Sequence, residues 1–139
     1  MELKLNSEQR SLLTFWTKEG EKVTYYNDLF STNFNKFGPE VNAQLNKSLM
    51  EVHVQDEIMV FTFAYRPGVF NNDILEKFVS NKQFSIGVIE LYLYDERKQL
   101  KDTLSYSMPV LKSIQFNIDD QNGTCVLKFE AFAVVHTKI

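Results

Sequence analysis

MPVLKSIQFNIDDQNGTCVLKFEAFAVVH, Met108 to His136, contains two alternating runs joined by a turn. Ile114, Phe116 and Ile118 alternate with Ser113, Gln115, Asn117 and Asp119, so three apolar side chains share one face of a strand. Asp119 to Gly123 is turn chemistry, and Asn122-Gly123 suits the positive φ of a tight hairpin. The chain returns through Cys125, Leu127, Phe129, Ala131, Ala133 and Val135, again every second residue. The other face carries Lys128 and Glu130, then turns apolar at Phe132 and Val134. Such a strand is one-sided at its start and covered on both faces at its end, by another sheet, a helix or a second subunit. A strand from Cys125 to His136 reaches about 40 Å at roughly 3.3 Å per residue, twice the usual length. Long hairpins of this kind suit a barrel or sandwich wall.

The 139 residues are enough for one domain, 1–139, with a single core. Phe occurs 12 times and Tyr 6 times among many Val, Ile and Thr, which favours strands. A formal charge of −3 without a long Lys or Arg run gives no footprint for gripping a nucleic-acid backbone. Cys125 stands alone, so it makes no internal disulfide. Apolar runs fall well short of the ~20 residues of a membrane span, and the N-terminus lacks the charged and apolar regions of a secretory signal. Cytosolic production is the expectation.

Outward from the final hairpin, the chain alternates again. Val52 and Val54, then Ile58 to Tyr65, read as strands, the second apolar on both faces and expected to be doubly covered. Asp73 to about Asn81 reads as a helix with Ile74, Leu75, Phe78 and Val79 as its apolar stripe. Ile89, Leu91 and Leu93 form one face of a strand that turns at Asp95 to Lys98 and returns through Leu104 and Tyr106. Near the start, Asn6 and Gln9 have capping-box spacing. Leu12, Leu13 and Trp16 follow on one helical face and Gly20 is a stop. A strand through Thr14, Phe15, Trp16 and Thr17 is the alternative. Asn27 to Lys47 has turn chemistry and little periodicity, and reads as a long loop. Its Phe30, Phe34 and Phe37 either pin that loop to the core or form an apolar segment that packs on a partner. The expected fold is mainly β (α+β): a small antiparallel β-barrel or sandwich with one helix packed on it.

Five features now stand in order. A strand, Ile58 to Tyr65, precedes a helix containing Lys77-Phe78-Val79. Ile89 to Tyr94 runs into the turn Asp95 to Lys98. A return strand ends at Met108-Pro109. Ser113 to Gly123 is a strand and an Asp-containing turn, and Cys125 to His136 closes it. This layout, Asp56 to Thr137, resembles the second half of the tail-tube proteins of contractile-tailed bacteriophages, whose fold type VI secretion tubes and related injection machines share. The resemblance implies a structural virion protein made in the host cytoplasm. Hexameric rings would join their sheets into one inner barrel and stack into a tube that conducts genomic DNA. Sheath, baseplate and tail-terminator proteins would be its partners, with no cofactor, metal or membrane. In that assembly, residues 27–47 take the place of the stacking loop. Phe30, Phe34, Phe37, Phe132 and Val134 become inter-subunit contacts. Glu51, Glu90 and Glu130 either face the lumen or lie on a solvated face. Alternatives are a tail-completion or baseplate adaptor of the same fold, or a non-catalytic ligand- or protein-binding β-barrel.

Enzyme chemistry finds little footing. His53 and His136 lack a metal-ligand spacing, and Cys125 falls on an apolar face, where cysteine is usually an inert small core residue. Asp119-Asp120 fits turn chemistry better than a cation site, and the five glycines form no phosphate loop. Tyr92 and Tyr94 lie near Arg97 and Lys98, but Asp95 and Glu96 intervene, unlike a nucleic-acid stacking surface. No enzymatic activity is expected.

Overall fold

A computed structural model describes residues 12–16, 19–26, 29–65, 70, 72–80, 87–119 and 122–139. In chain order the elements are β1 (Leu12–Trp16), β2 (Lys22–Tyr26), β3 (Phe30–Phe34), α1 (Pro39–Ser48), β4 (Leu49–Gln55), β5 (Ile58–Ala64) and α2 (Asn72–Ser80). There follow β6 (Val88–Tyr94), β7 (Leu100–Ser107), β8 (Val110–Asp119), β9 (Asn122–Glu130) and β10 (Ala133–Lys138). They form a six-stranded sheet, β2-β1-β4-β5-β9-β8, and a four-stranded sheet, β10-β7-β6-β3. β1 and β4 run parallel, while the other described pairings are antiparallel. The mainly β class therefore holds, as a sandwich: among the described residues the sheets do not close into a barrel.

The core lies between the sheets, and period 2 builds it. Met59, Phe61 and Phe63 of β5 are in register with Val54, Val52 and Leu49 of β4 and with Phe129, Leu127 and Cys125 of β9. All nine are buried, as are Ile89, Leu91 and Leu93 of β6 and Leu104 and Tyr106 of β7. Phe34 sits at the centre. Its ring is 5.2 Å from both Phe61 and Phe78 and 6.3 Å from Phe129. Ile74 and Phe78, four residues apart, seal α2 against this cluster, while Leu75 is half-buried and Val79 exposed. The buried face of α2 is thus narrower than the four-residue stripe read from the sequence.

Four expectations change. The helix read over Asn6 to Gly20 is, at Leu12–Trp16, the alternative strand. Leu13 and Phe15 point inward, and residues 1–11 lie outside the described residues. The supposed loop 27–47 contains β3 and then α1, so the sandwich carries two helices among the described residues rather than one. Periodicity missed α1 because its buried positions are Asn42, Leu45 and Ser48, two of them polar. β5 is covered on one face only, since Ile58, Val60 and Thr62 on its other face are half-buried.

The fourth change concerns the closing strand. It does not run unbroken to His136. The Ala131 N–H donates to the Glu57 carbonyl (2.8 Å) in the six-stranded sheet. The next amide, Phe132, donates to the Ser107 carbonyl (2.8 Å) in the four-stranded sheet. The strand changes sheets there and its inward parity inverts. Cys125, Leu127, Phe129 and Ala131 face the core before the switch, and Val134 packs on it afterwards. Apolar residues on both faces recorded that inversion, not double cover. Asn122 pairs with Asp119 and Gly123 with Ile118, so Asn122-Gly123 opens β9 rather than forming the turn.

These placements predict opposite outcomes for two phenylalanines. Phe34→Ala should lower unfolding free energy by about 3–5 kcal/mol, as for other buried Phe truncations. Phe132→Ala, at a side chain 75% exposed, should leave it within about 0.5 kcal/mol. Urea titration followed by circular dichroism measures both.

Candidate assembly surfaces

The outer face of the six-stranded sheet is mostly polar. Register places Glu51, His53 and Gln55 of β4 opposite Thr62, Val60 and Ile58 of β5, and Val126, Lys128 and Glu130 of β9 opposite the same three. Gln115 and Ser113 of β8 continue the row beside Val126 and Lys128. Carboxylates and cations are interspersed: Glu130 lies 3.8 Å from the Lys112 ammonium, and Glu51 3.9 Å from His53 Nε2. Of the three glutamates considered for a lumen, Glu51 and Glu130 share this face. Glu90 does not. It projects from β6, on the outer side of the four-stranded sheet. There its Oε1 accepts hydrogen bonds from Asn33 Nδ2 (3.0 Å) and the Tyr92 hydroxyl (2.9 Å). Partial burial first, then the Glu90 carboxylate, push the Tyr92 phenol up to about 12. Three glutamates on opposite outer faces of a sandwich do not line one channel wall.

The sheet edges differ in how they are finished. β3 ends the four-stranded sheet, and α1 closes that edge with two amides one helical turn apart. Asn46 Oδ1 accepts from the Thr32 N–H (3.1 Å) and its Nδ2 donates to the Thr32 carbonyl (2.9 Å). Asn42 repeats the pattern on Phe34, accepting at 2.8 Å and donating at 3.1 Å. The two side chains replace a neighbouring strand, so this edge cannot template another chain. Nothing in the apolar patterning signalled it. The readable signal was Asn-x-x-x-Asn after Pro39.

β8 ends the six-stranded sheet, and most of its described side chains are exposed. Phe116 is 43% exposed and meets Tyr65 edge-on at 5.3 Å. β10 ends the other sheet and leaves Phe132, Val135 and Ile139 exposed. The five residues considered as inter-subunit contacts therefore separate. Phe132 is available. Val134 is half-buried against the core. Phe30 and Phe34 are 5% and 0% exposed, and the Phe37 ring packs 5.1 Å from that of Phe78. The three loop phenylalanines are anchors: Phe30 and Phe34 belong to the buried core, and Phe37 packs on it.

The candidate reactive groups are not brought together. His53 and Cys125 face opposite sides of the same sheet. His136 Nε2 lies 3.2 Å from Oδ1 of the buried Asp102, a pair that sequence spacing did not suggest. Among the described residues no group of three or more His, Cys, Asp or Glu is placed to hold a metal ion, and no helix is long and apolar enough to cross a membrane.

No protein-family profile and no curated protein matches this sequence. Solved structures do. A chain of an extracellular contractile injection system (a PVC sheath-tube complex in the extended state) is 11% identical, with 93% of this chain and 74% of that one covered and a TM-score of 0.46. Secreted protein Hcp3 from Pseudomonas aeruginosa is 10% identical, with 93% and 91% covered and a TM-score of 0.46. A chain of the anti-feeding prophage baseplate is 9% identical, with 99% and 98% covered and a TM-score of 0.46. The structural neighbours of this chain are thus tail-tube-like proteins of contractile injection and type VI secretion machines. The likeness is loose, and what this chain does is read from its own edges and faces.

Burial pushes the Cys125 thiol from its ordinary 9.0 up to about 11. The folded protein therefore holds the proton, and at pH 8 it carries about a hundredfold less thiolate than the unfolded chain. Labelling by a thiol-reactive disulfide should be correspondingly slow in the native state and should quicken about tenfold per pH unit up to about 11. In denaturant the rate should level off near 9. Equal native and denatured rates at pH 8 would contradict the buried placement.

Proposed function

We propose that this protein is a structural subunit that joins copies of itself edge to edge into rings and stacks them into a tube of the contractile-tail and injection-machine kind. The observation that carries the reading is the contrast between edges. β3 is closed by Asn42 and Asn46, while among the described residues the ten-residue strand β8 stays uncovered at the end of a sheet whose outer face is mostly polar. An exposed edge of that length pairs with another strand or risks uncontrolled association. Ring closure resolves the hazard by giving every edge a partner.

In such a ring the polar face of β4, β5, β9 and β8 turns toward the lumen, and Glu51 and Glu130 lie on it. Interspersed Lys128 and Lys112 keep the charge mixed, so a polyanion such as genomic DNA passes without being gripped. Phe132, Val135 and Ile139 lie on the outer surface beside β10, where a neighbouring subunit or ring covers them. Hexameric symmetry, sheath, baseplate and terminator partners, and a place in a tail-like particle follow from the tail-tube resemblance of Asp56 to Thr137. The subunit works without enzymatic chemistry.

Proline scanning of β8 tests the reading. Successive residues of an antiparallel edge strand point their backbone groups alternately at the paired neighbour and at the open side. Proline placed at Gln115 and at Phe116, one at a time, therefore removes an inward amide in one variant and an outward amide in the other. The outward variant should keep wild-type stability and lose assembly, measured by mass photometry over a concentration series. Unchanged assembly in both folded variants would overturn β8 as the joining edge.

A further inference from the structure

One end of the sandwich stays open, between β1, the β4–β5 turn, β7 and β10. The cleft there holds about 540 Å³, within the usual range of small-ligand sites. At its floor is Tyr106, 1% exposed. Its hydroxyl has no hydrogen-bond partner among the described residues. A buried hydroxyl left unpaired carries a desolvation penalty, and native proteins rarely leave one so. The hydroxyl is therefore left for a group other than the described side chains.

The surroundings define that guest. Phe15, on the inward face of β1, lines the cleft with the apolar Leu104 and Val134, and Trp16 borders it from the next position on the strand. The rim carries the carboxylates of Glu19, Asp56 and Glu57 against a single ammonium, Lys138. None of the three has a salt-bridge partner among the described residues. The Glu57 carboxylate lies close enough to the Tyr106 phenol to act on it electrostatically. His136 lines the cleft too, but its Nε2 is engaged by Asp102. An apolar aromatic slot with an excess of unpaired carboxylates and a buried hydroxyl acceptor suits a cation on a short apolar stem. The stem lies along Phe15, Leu104 and Val134, and the N–H groups of the cation donate to the phenol oxygen and to Glu57.

We propose that this cleft is a binding site for a guanidinium or ammonium group on an alkyl stem, either a basic side chain of another protein or a free amine. The site does not depend on the tube reading: it belongs to one chain and is tested on one chain.

Trp16 is the chain's single tryptophan and lines the cleft, so its fluorescence reports occupancy directly. Butylguanidinium titrated into the full chain should change Trp16 emission saturably. Butylurea, the same shape without charge, should bind at least about tenfold more weakly. Glu57→Gln and Tyr106→Phe should each weaken butylguanidinium binding about fivefold or more. Tyr106→Phe should leave the free protein's stability unchanged or raised, because it deletes an unpaired group. A second titration with N-acetyl-arginine amide distinguishes the sources. Tighter binding than butylguanidinium assigns the site to a protein side chain, and weaker binding assigns it to a free amine. No saturable change with either cation, equal binding of butylguanidinium and butylurea, or marked destabilisation by Tyr106→Phe would overturn the proposal.

Discussion

Two neighbouring amides hold this architecture together. Ala131 donates into the six-stranded sheet and Phe132 into the four-stranded one. That single-residue change of allegiance sets the two sheets face to face and inverts the inward parity of the chain. Cys125, Leu127 and Phe129 serve the core from one side, and Val134 from the other. It also leaves Phe132 with no inward direction, which is why so large a side chain stands exposed. The surface patch beside β10 is thus a by-product of the strand switch.

The second constraint is where backbone polar groups go when a sheet stops. At β3 the answer lies within the chain: two asparagines on α1 copy the donor and acceptor spacing of a strand. Those amides are why the face of α1 that meets the sheet is polar. At β8 the described residues offer no such cover, and the proposed assembly supplies it with a neighbouring strand. One edge closed and another left open among the described residues is the contrast on which the proposed ring rests.

The hairpins were legible in the sequence because each strand keeps an apolar face of period 2 and each turn has its own chemistry. Asp95 shows this well. Its Oδ1 accepts from the amides of Arg97 (2.9 Å) and Gln99 (3.0 Å), as the charged turn there suggested. β1 was ambiguous because Leu12, Leu13 and Trp16 satisfy helical spacing while Leu13 and Phe15 satisfy strand spacing. Pairing with β4 settles it, and that is a tertiary fact. α1 was hidden because hydrophobic periodicity cannot register a helix whose inward contacts are amides. Of the candidate contacts, exposure at Phe132 was readable from its break in the alternation. The burial of Phe30 and Phe34 depended on a strand, β3, that the loop-like composition concealed.

Negative-stain electron microscopy of the purified full chain tests the assembly claim most directly. Hollow rings about one subunit thick, stacking into tubes as concentration rises, are the predicted result, with six-fold averages if the tail-tube resemblance extends to symmetry. A monodisperse single-chain particle at every concentration, with and without preformed tube ends to build on, would contradict it.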